Sequence, residues 1–103
     1  MIARIWKGAV RRQDGDTYAR YIEETGLAGY AETPGNCGAW MLRRDEGERT
    51  EFVTFTLWES LDAVKAFAGE DYETAYVPPA ARAVLARFDD RSAHYETLLR
   101  PDA

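Results

Sequence analysis

Few side chains in this sequence are equipped for covalent chemistry. The 103 residues hold one histidine, His94, and one cysteine, Cys37, and the only serines are Ser60 and Ser92. No G-x-S-x-G elbow is present to carry a nucleophilic serine, and Ser60 stands where a helix needs its N-cap. Ser92 lies two positions before His94, on the same side of a strand. Cys37 sits in a turn between Asn36 and Gly38 without a CxxC partner, and reads as a small structural residue. One His and one Cys cannot build a Cys/His zinc site within one chain. No H-x-E or HExxH spacing occurs, and the acid pairs Asp45-Glu46, Glu70-Asp71 and Asp89-Asp90 fall at turns or helix starts, where solvated charge is ordinary. A haem- or metal-dependent reaction would therefore have to run through His94. That residue is also the default base, since its unperturbed pKa alone lies near neutrality.

Nucleic acid is a poor partner. Phe52-Val53-Thr54-Phe55 matches the tail of an RNA-recognition strand, but the glycine-containing basic front half is replaced by Glu48-Arg49-Thr50-Glu51. With 13 basic and 18 acidic residues the net charge is −5, and a phosphate backbone would be repelled by most of the surface. Hydrophobic residues at 46% and charged residues at 30% indicate one globular domain over 1–103. No run approaches the ~20 apolar residues of a membrane span, and Met1-Ile2-Ala3-Arg4 opens no signal-peptide core, so a cytoplasmic location is expected.

The elements that would position any site follow from periodicity. Residues 1–10 form a β-like run ending at the polar turn 11–16. From Thr17 to about Tyr30 the spacing is helical, with Asp14 or Asp16 available as cap and Gly26 and Gly29 loosening the last turn. Residues 38–44 and 51–58 are strands joined through Asp45-Glu46-Gly47-Glu48, a hairpin signal. Ser60 caps a helix carrying Leu61, Val64 and Phe67 on one face and stopped by Gly69. A short helical piece over 70–76, an amphipathic stretch with Val84, Leu85 and Phe88, and a final strand over 92–99 complete the chain. The order β-α-β-β-α-β predicts an α+β, ferredoxin-like fold with an antiparallel sheet.

Such a sheet should be apolar on one face and polar on the other. Here Val53, Phe55 and Leu57 alternate with Phe52, Thr54, Thr56 and Trp58, so both faces are apolar. With an unbroken alternation Trp6, Trp40 and Trp58 all fall on the mixed side. Exposed aromatic surface on that scale marks an interface, and the simplest cover is a second copy related by a two-fold axis. A homodimer with sheets packed face to face is expected. A cavity framed by such aromatics, with scattered Thr, Arg and His, suits a small aromatic molecule.

The stretch Phe55-Thr56-Leu57-Trp58-Glu59-Ser60-Leu61-Asp62-Ala63-Val64-Lys65-Ala66-Phe67-Ala68-Gly69, followed by Ala75-Tyr76 and His94-Tyr95-Glu96, resembles the antibiotic biosynthesis monooxygenase family. Thr33-Pro34-Gly35-Asn36 before a strand fits the same pattern. The resemblance implies a dimeric α/β barrel of two ferredoxin-like protomers. It implies a cofactor-independent monooxygenase that oxidises a quinol-like or polycyclic aromatic with O₂, or a non-catalytic binding or accessory protein of the same fold. Haem-degrading relatives use a helical His as axial ligand; here Tyr76 stands at about that place and Phe67 replaces their helical Trp, so no cofactor is expected. Trp58 matches the family's strand-end Trp, and Thr54 replaces an amide four residues earlier. The expected catalytic pair is His94 and Tyr76, and the expected substrate contacts are Trp58, Thr54, Phe67 and Trp6.

Overall fold

Two long strands run antiparallel over their whole length: β1 (Ile2–Arg11) against β3 (Arg49–Trp58), from Ile2 opposite Trp58 to Arg11 opposite Arg49. The coordinates are a computed structural model describing residues 1–30 and 32–99. β2 (Asn36–Glu46) covers the outer edge of β3 through a tight hairpin, in which Gly47 adopts a φ of 62° that a side chain would resist. The free edge of β1 is shared. β4 (Leu85–Phe88) pairs with residues 8–10 and β5 (Ala93–Glu96) with residues 2–5. The α+β antiparallel architecture is the one expected from the sequence, with five strands rather than four.

The extra strand corrects the reading of 80–88 as one amphipathic stretch. Only α4 (Pro79–Arg82) is helical there, and Leu85–Phe88 is β4. Leu85 and Phe88 are three residues apart, which mimics a helix face. An irregularity opposite Ala9/Val10 instead sets Leu85 against Val10 and Phe88 against Gly8, so both point to one side of the sheet. Residues 70–73 form turns rather than a helix, and Thr74 bridges Arg91.

A helical layer covers one sheet face. α1 (Gly15–Ile22) passes into a π turn (Glu23–Leu27) and then α2 (Ala28–Tyr30), so the glycine-bearing last turns are loosened as expected. Asp14 and Asp16 serve ion pairs rather than caps, with Arg11 at 3.2 Å and Arg43 at 2.8 Å. α3 (Leu61–Ala68) starts where Ser60 Oγ accepts the Ala63 N–H at 3.2 Å and stops at Gly69, whose φ is 92°. Under this layer Val10, Tyr18, Phe52, Val77 and Ala81 form the core, with the Tyr18 ring edge-on to Phe52 at 4.9 Å.

The hairpin register separates the tryptophans. It runs unbroken from Glu46 opposite Arg49 to Gly38 opposite Leu57 and sets Trp40 opposite Phe55; the shift between Asn36 and Gly38 lies beyond it. Trp6 and Trp58 therefore face the helices, while Trp40 joins Phe55 on the open face, their rings 5.5 Å apart. This corrects the expectation that all three share a side; pairing with β3, not the alternation within β2, decides which face Trp40 takes. Phe52 is fully buried at the centre of the inner face. Phe52→Ala should lower unfolding free energy by ~3–5 kcal/mol in urea titrations, the cost of a large unfilled core cavity.

Candidate functional site

Between the inner sheet face and the helices lies a cavity of about 630 Å³. The floor is β1 and β3: Arg4, Trp6, Thr54 and Thr56. Tyr18, Tyr21 and Ile22 of α1 and Tyr30 of α2 form one wall, and Phe67 of α3 with the extended segment 74–78 forms the other. That segment is held by Ala75 N–H to the Asp90 carbonyl and Ser92 N–H to the Glu73 carbonyl, both at 2.8 Å.

Four of the six residues expected from the sequence line this space. Trp6 lies across Gly8, where a Cβ would meet its ring at 2.7 Å, and its Nε1–H donates to the Asp89 carbonyl at 2.8 Å. The indole is thus fixed in place by a glycine and a carbonyl. Thr54 projects from the floor with its hydroxyl turned toward Met41 Sδ at 3.9 Å. Phe67 is braced by Trp58 at 4.8 Å and Tyr30 at 5.4 Å. Tyr76 belongs to the rim, 83% exposed, on extended chain rather than a helix.

The other two stand behind the lining. Trp58 is completely buried; its Nε1–H donates to Thr56 Oγ1 at 2.9 Å, and it supports Phe67 from beneath. His94, on β5 directly opposite Arg4, is absent from the lining. Its Nε2 lies 3.3 Å from Arg4 Nη1, and its ring meets Tyr72 edge-on at 5.1 Å. A guanidinium can only donate, so Nε2 is the acceptor and the ring is neutral, with its proton on Nδ1. Nδ1 is buried, with no partner in good hydrogen-bonding geometry among the described residues.

Arg4 is the residue the sequence reading passed over, together with Tyr18, Tyr21 and Tyr30. Its Nη1–H groups reach the Tyr72 carbonyl at 2.9 Å and His94, and its guanidinium lies 5.9 Å from the Phe67 ring centre. Burial lowers its pKa, partly offset by Tyr30. A legible signal existed: Ile2, Arg4 and Trp6 share one side of β1, which makes Arg4 a cation on a face carrying large apolar groups.

Solved structures similar in shape cover almost the whole chain. A protein described as an antibiotic biosynthesis monooxygenase from Bacillus cereus aligns with a TM-score of 0.72 at 17% identity, over 100% of this chain and 96% of its own. One from Nitrosomonas europaea gives 0.69 at 14%, over 96% and 100%. The haem-degrader MhuD of Mycobacterium tuberculosis, with two haems in its active site, gives 0.67 at 22%, over 99% and 100%. The fold is that of the antibiotic biosynthesis monooxygenases. No protein-family model and no curated protein matches the sequence.

In this monooxygenase-type fold the cavity does not suit a haem iron. Among the described residues no His, Cys or Met lines it, burial holds the phenols of Tyr18, pushed up to about 12, and Tyr30 in their protonated forms, and Tyr76 stands exposed at the rim. No group of three or more His, Cys, Asp or Glu side chains placed to hold a metal ion occurs among the described residues. No helix there is long and apolar enough to cross a membrane.

Burial, and then the Arg4 charge, lower the His94 pKa from 6.5, against weaker pulls from Glu73 and the Ser92 backbone. Between that lowered value and 6.5 the unfolded chain binds the extra proton, so stability rises with pH. The His94 contribution is complete above 6.5 and lost as the pH falls below it. Urea unfolding at about pH 7.5 and about pH 5.5 should show a lower free energy at the acid value, and His94→Gln should flatten that difference.

Proposed function

We propose that this protein is a cofactor-independent oxygenase of the antibiotic biosynthesis monooxygenase type, working as a homodimer on a quinol-like or polycyclic aromatic. The observation that carries the reading is the cavity: aromatic walls, threonine hydroxyls, one cation and no metal-ligating histidine or thiol. A planar electron-rich ring fits between Trp6, Phe67 and the tyrosines. Once ionised, such a substrate reduces O₂ itself: one electron passes to oxygen, the radical pair joins at carbon, and water leaves. One CH₂ and one O₂ become one C=O and one H₂O. The protein binds the ring, excludes water and holds the anion. The exposed thiol of Cys37 is consistent with the reducing cytoplasm.

The haem- or metal-dependent reading runs through His94 and is favoured by the likeness to MhuD, but His94 is absent from the cavity lining and the donor set of the cavity speaks against it. A binding or accessory role uses the same cavity without turnover and is separated by assay. Oxygen-electrode traces with a panel of hydroquinones and anthrones should show saturable, protein-dependent uptake. Thr54→Val should lower kcat/KM roughly tenfold, the ~1.4 kcal/mol of one hydrogen bond. No uptake across the panel would leave only the binding role.

The open face supports the dimer. Trp40 is 45% and Leu42 51% exposed, beside Ile5, Val53, Phe55 and Leu57 on the same side. A patch of this kind is rare on a monomer. Sedimentation equilibrium at micromolar concentration should give twice the 11.7 kDa chain mass, and Trp40→Glu should return the monomer.

A further inference from the structure

Acidic residues outnumber basic ones by 18 to 13 in this chain, yet among the described residues none of the acids lines the cavity and Arg4 is the only cation there. Six other arginines, from Arg11 to Arg91, hold carboxylates. Arg4 forms no ion pair among the described residues. Its neighbours are neutral: a carbonyl, an imidazole and a benzene ring. A partly desolvated guanidinium without a counter-ion is unfavourable, and an anion entering the site would relieve that.

The hydrogen-bond count sharpens this. Nη1 uses its two hydrogens on Tyr72 and His94. Nε and Nη2 keep three N–H groups with no protein partner among the described residues, in the fork spacing that matches two oxygens. We propose that Arg4 is the receptor for an anionic group on the aromatic ligand of this cavity, a carboxylate or an ionised ring oxygen, and that His94 is its positioning residue. This rests on the aromatic-binding reading of the cavity and adds the charge of the ligand.

A neutral imidazole suits the positioning task. A carboxylate at position 94 would orient the guanidinium but cancel its charge. The histidine accepts one N–H, leaves the charge for the ligand, and is itself fixed by the Tyr72 ring. Its lowered pKa keeps it an acceptor at pH 7. Because His94 does not line the cavity, it acts through Arg4 rather than on the ligand.

Calorimetric titration of the full-length protein with 2-naphthoate and with the neutral 2-naphthamide tests the assignment without any variant. Naphthoate should bind about 10–100-fold more tightly, the usual margin of a charge-assisted hydrogen-bonded pair. Arg4→Met should bring naphthoate to the amide's affinity and leave the amide within about 3-fold, with circular dichroism confirming the fold. His94→Leu should weaken naphthoate binding, whereas His94→Gln, which keeps an acceptor, should preserve it. Equal binding of both probes overturns the anion receptor and spares the aromatic cavity; binding of neither overturns both. An undiminished preference in Arg4→Met removes Arg4, and equal losses in the Leu and Gln variants remove His94 as a positioning residue.

Discussion

Everything in this molecule hangs on the full-length antiparallel pairing of β1 with β3. Ten consecutive residue pairs set Arg4 opposite Thr56, Trp6 opposite Thr54 and Gly8 opposite Phe52. These are the floor of the cavity and the centre of the core. Side chains alternate with a period of two, so a slip of one residue would carry Arg4 and Trp6 to the open face and bring Ile5 and Lys7 inward. The inner face tolerates Thr50, Thr56 and the Trp58 indole because they find partners: Thr50 donates to Asp45 at 2.7 Å, and Trp58 to Thr56 at 2.9 Å. A pleated surface with satisfied hydroxyls and an indole pinned over a glycine is a rigid base for a binding site.

The second edge of β1 does different work at its two ends. β4 extends the core with Leu85 and Phe88, while β5 brings His94 alongside Arg4 across 90 residues of sequence. One strand thus anchors hydrophobic packing at one end and organises a cation at the other. The segment from Tyr72 to Ser92, which carries α4 and β4, ties these ends together through its backbone hydrogen bonds and closes one wall of the cavity. The two sheet faces have likewise diverged: the inner is mixed and enclosed, the outer apolar and open.

Periodicity revealed the elements well wherever one period ran uninterrupted. β1, the 49–58 strand, the Ser60-capped helix and the Gly47 hairpin are all written in local patterns of apolar spacing, cap and turn residues. It failed where strand pairing decides. The hairpin register put Trp40 on the open face, and the irregularity at Ala9/Val10 disguised a strand as a helix. Both depend on how a neighbouring strand pairs, which no local window contains.

The candidate site divides the same way. Thr54, Trp6, Phe67 and Tyr76 were legible because aromatic and hydroxyl groups at strand and helix positions announce an apolar cavity with polar points. By itself the sequence determined composition, element type and the excess of apolar surface over what one sheet can bury, since these follow from residue chemistry and short-range spacing. Only the tertiary structure decided that Trp58 supports the cavity from behind, that His94 faces Arg4 rather than the cavity, and that Arg4 stands there without a carboxylate. Those outcomes come from strand register and from pairings between residues far apart in the chain, where a single inserted residue reverses which face a side chain takes.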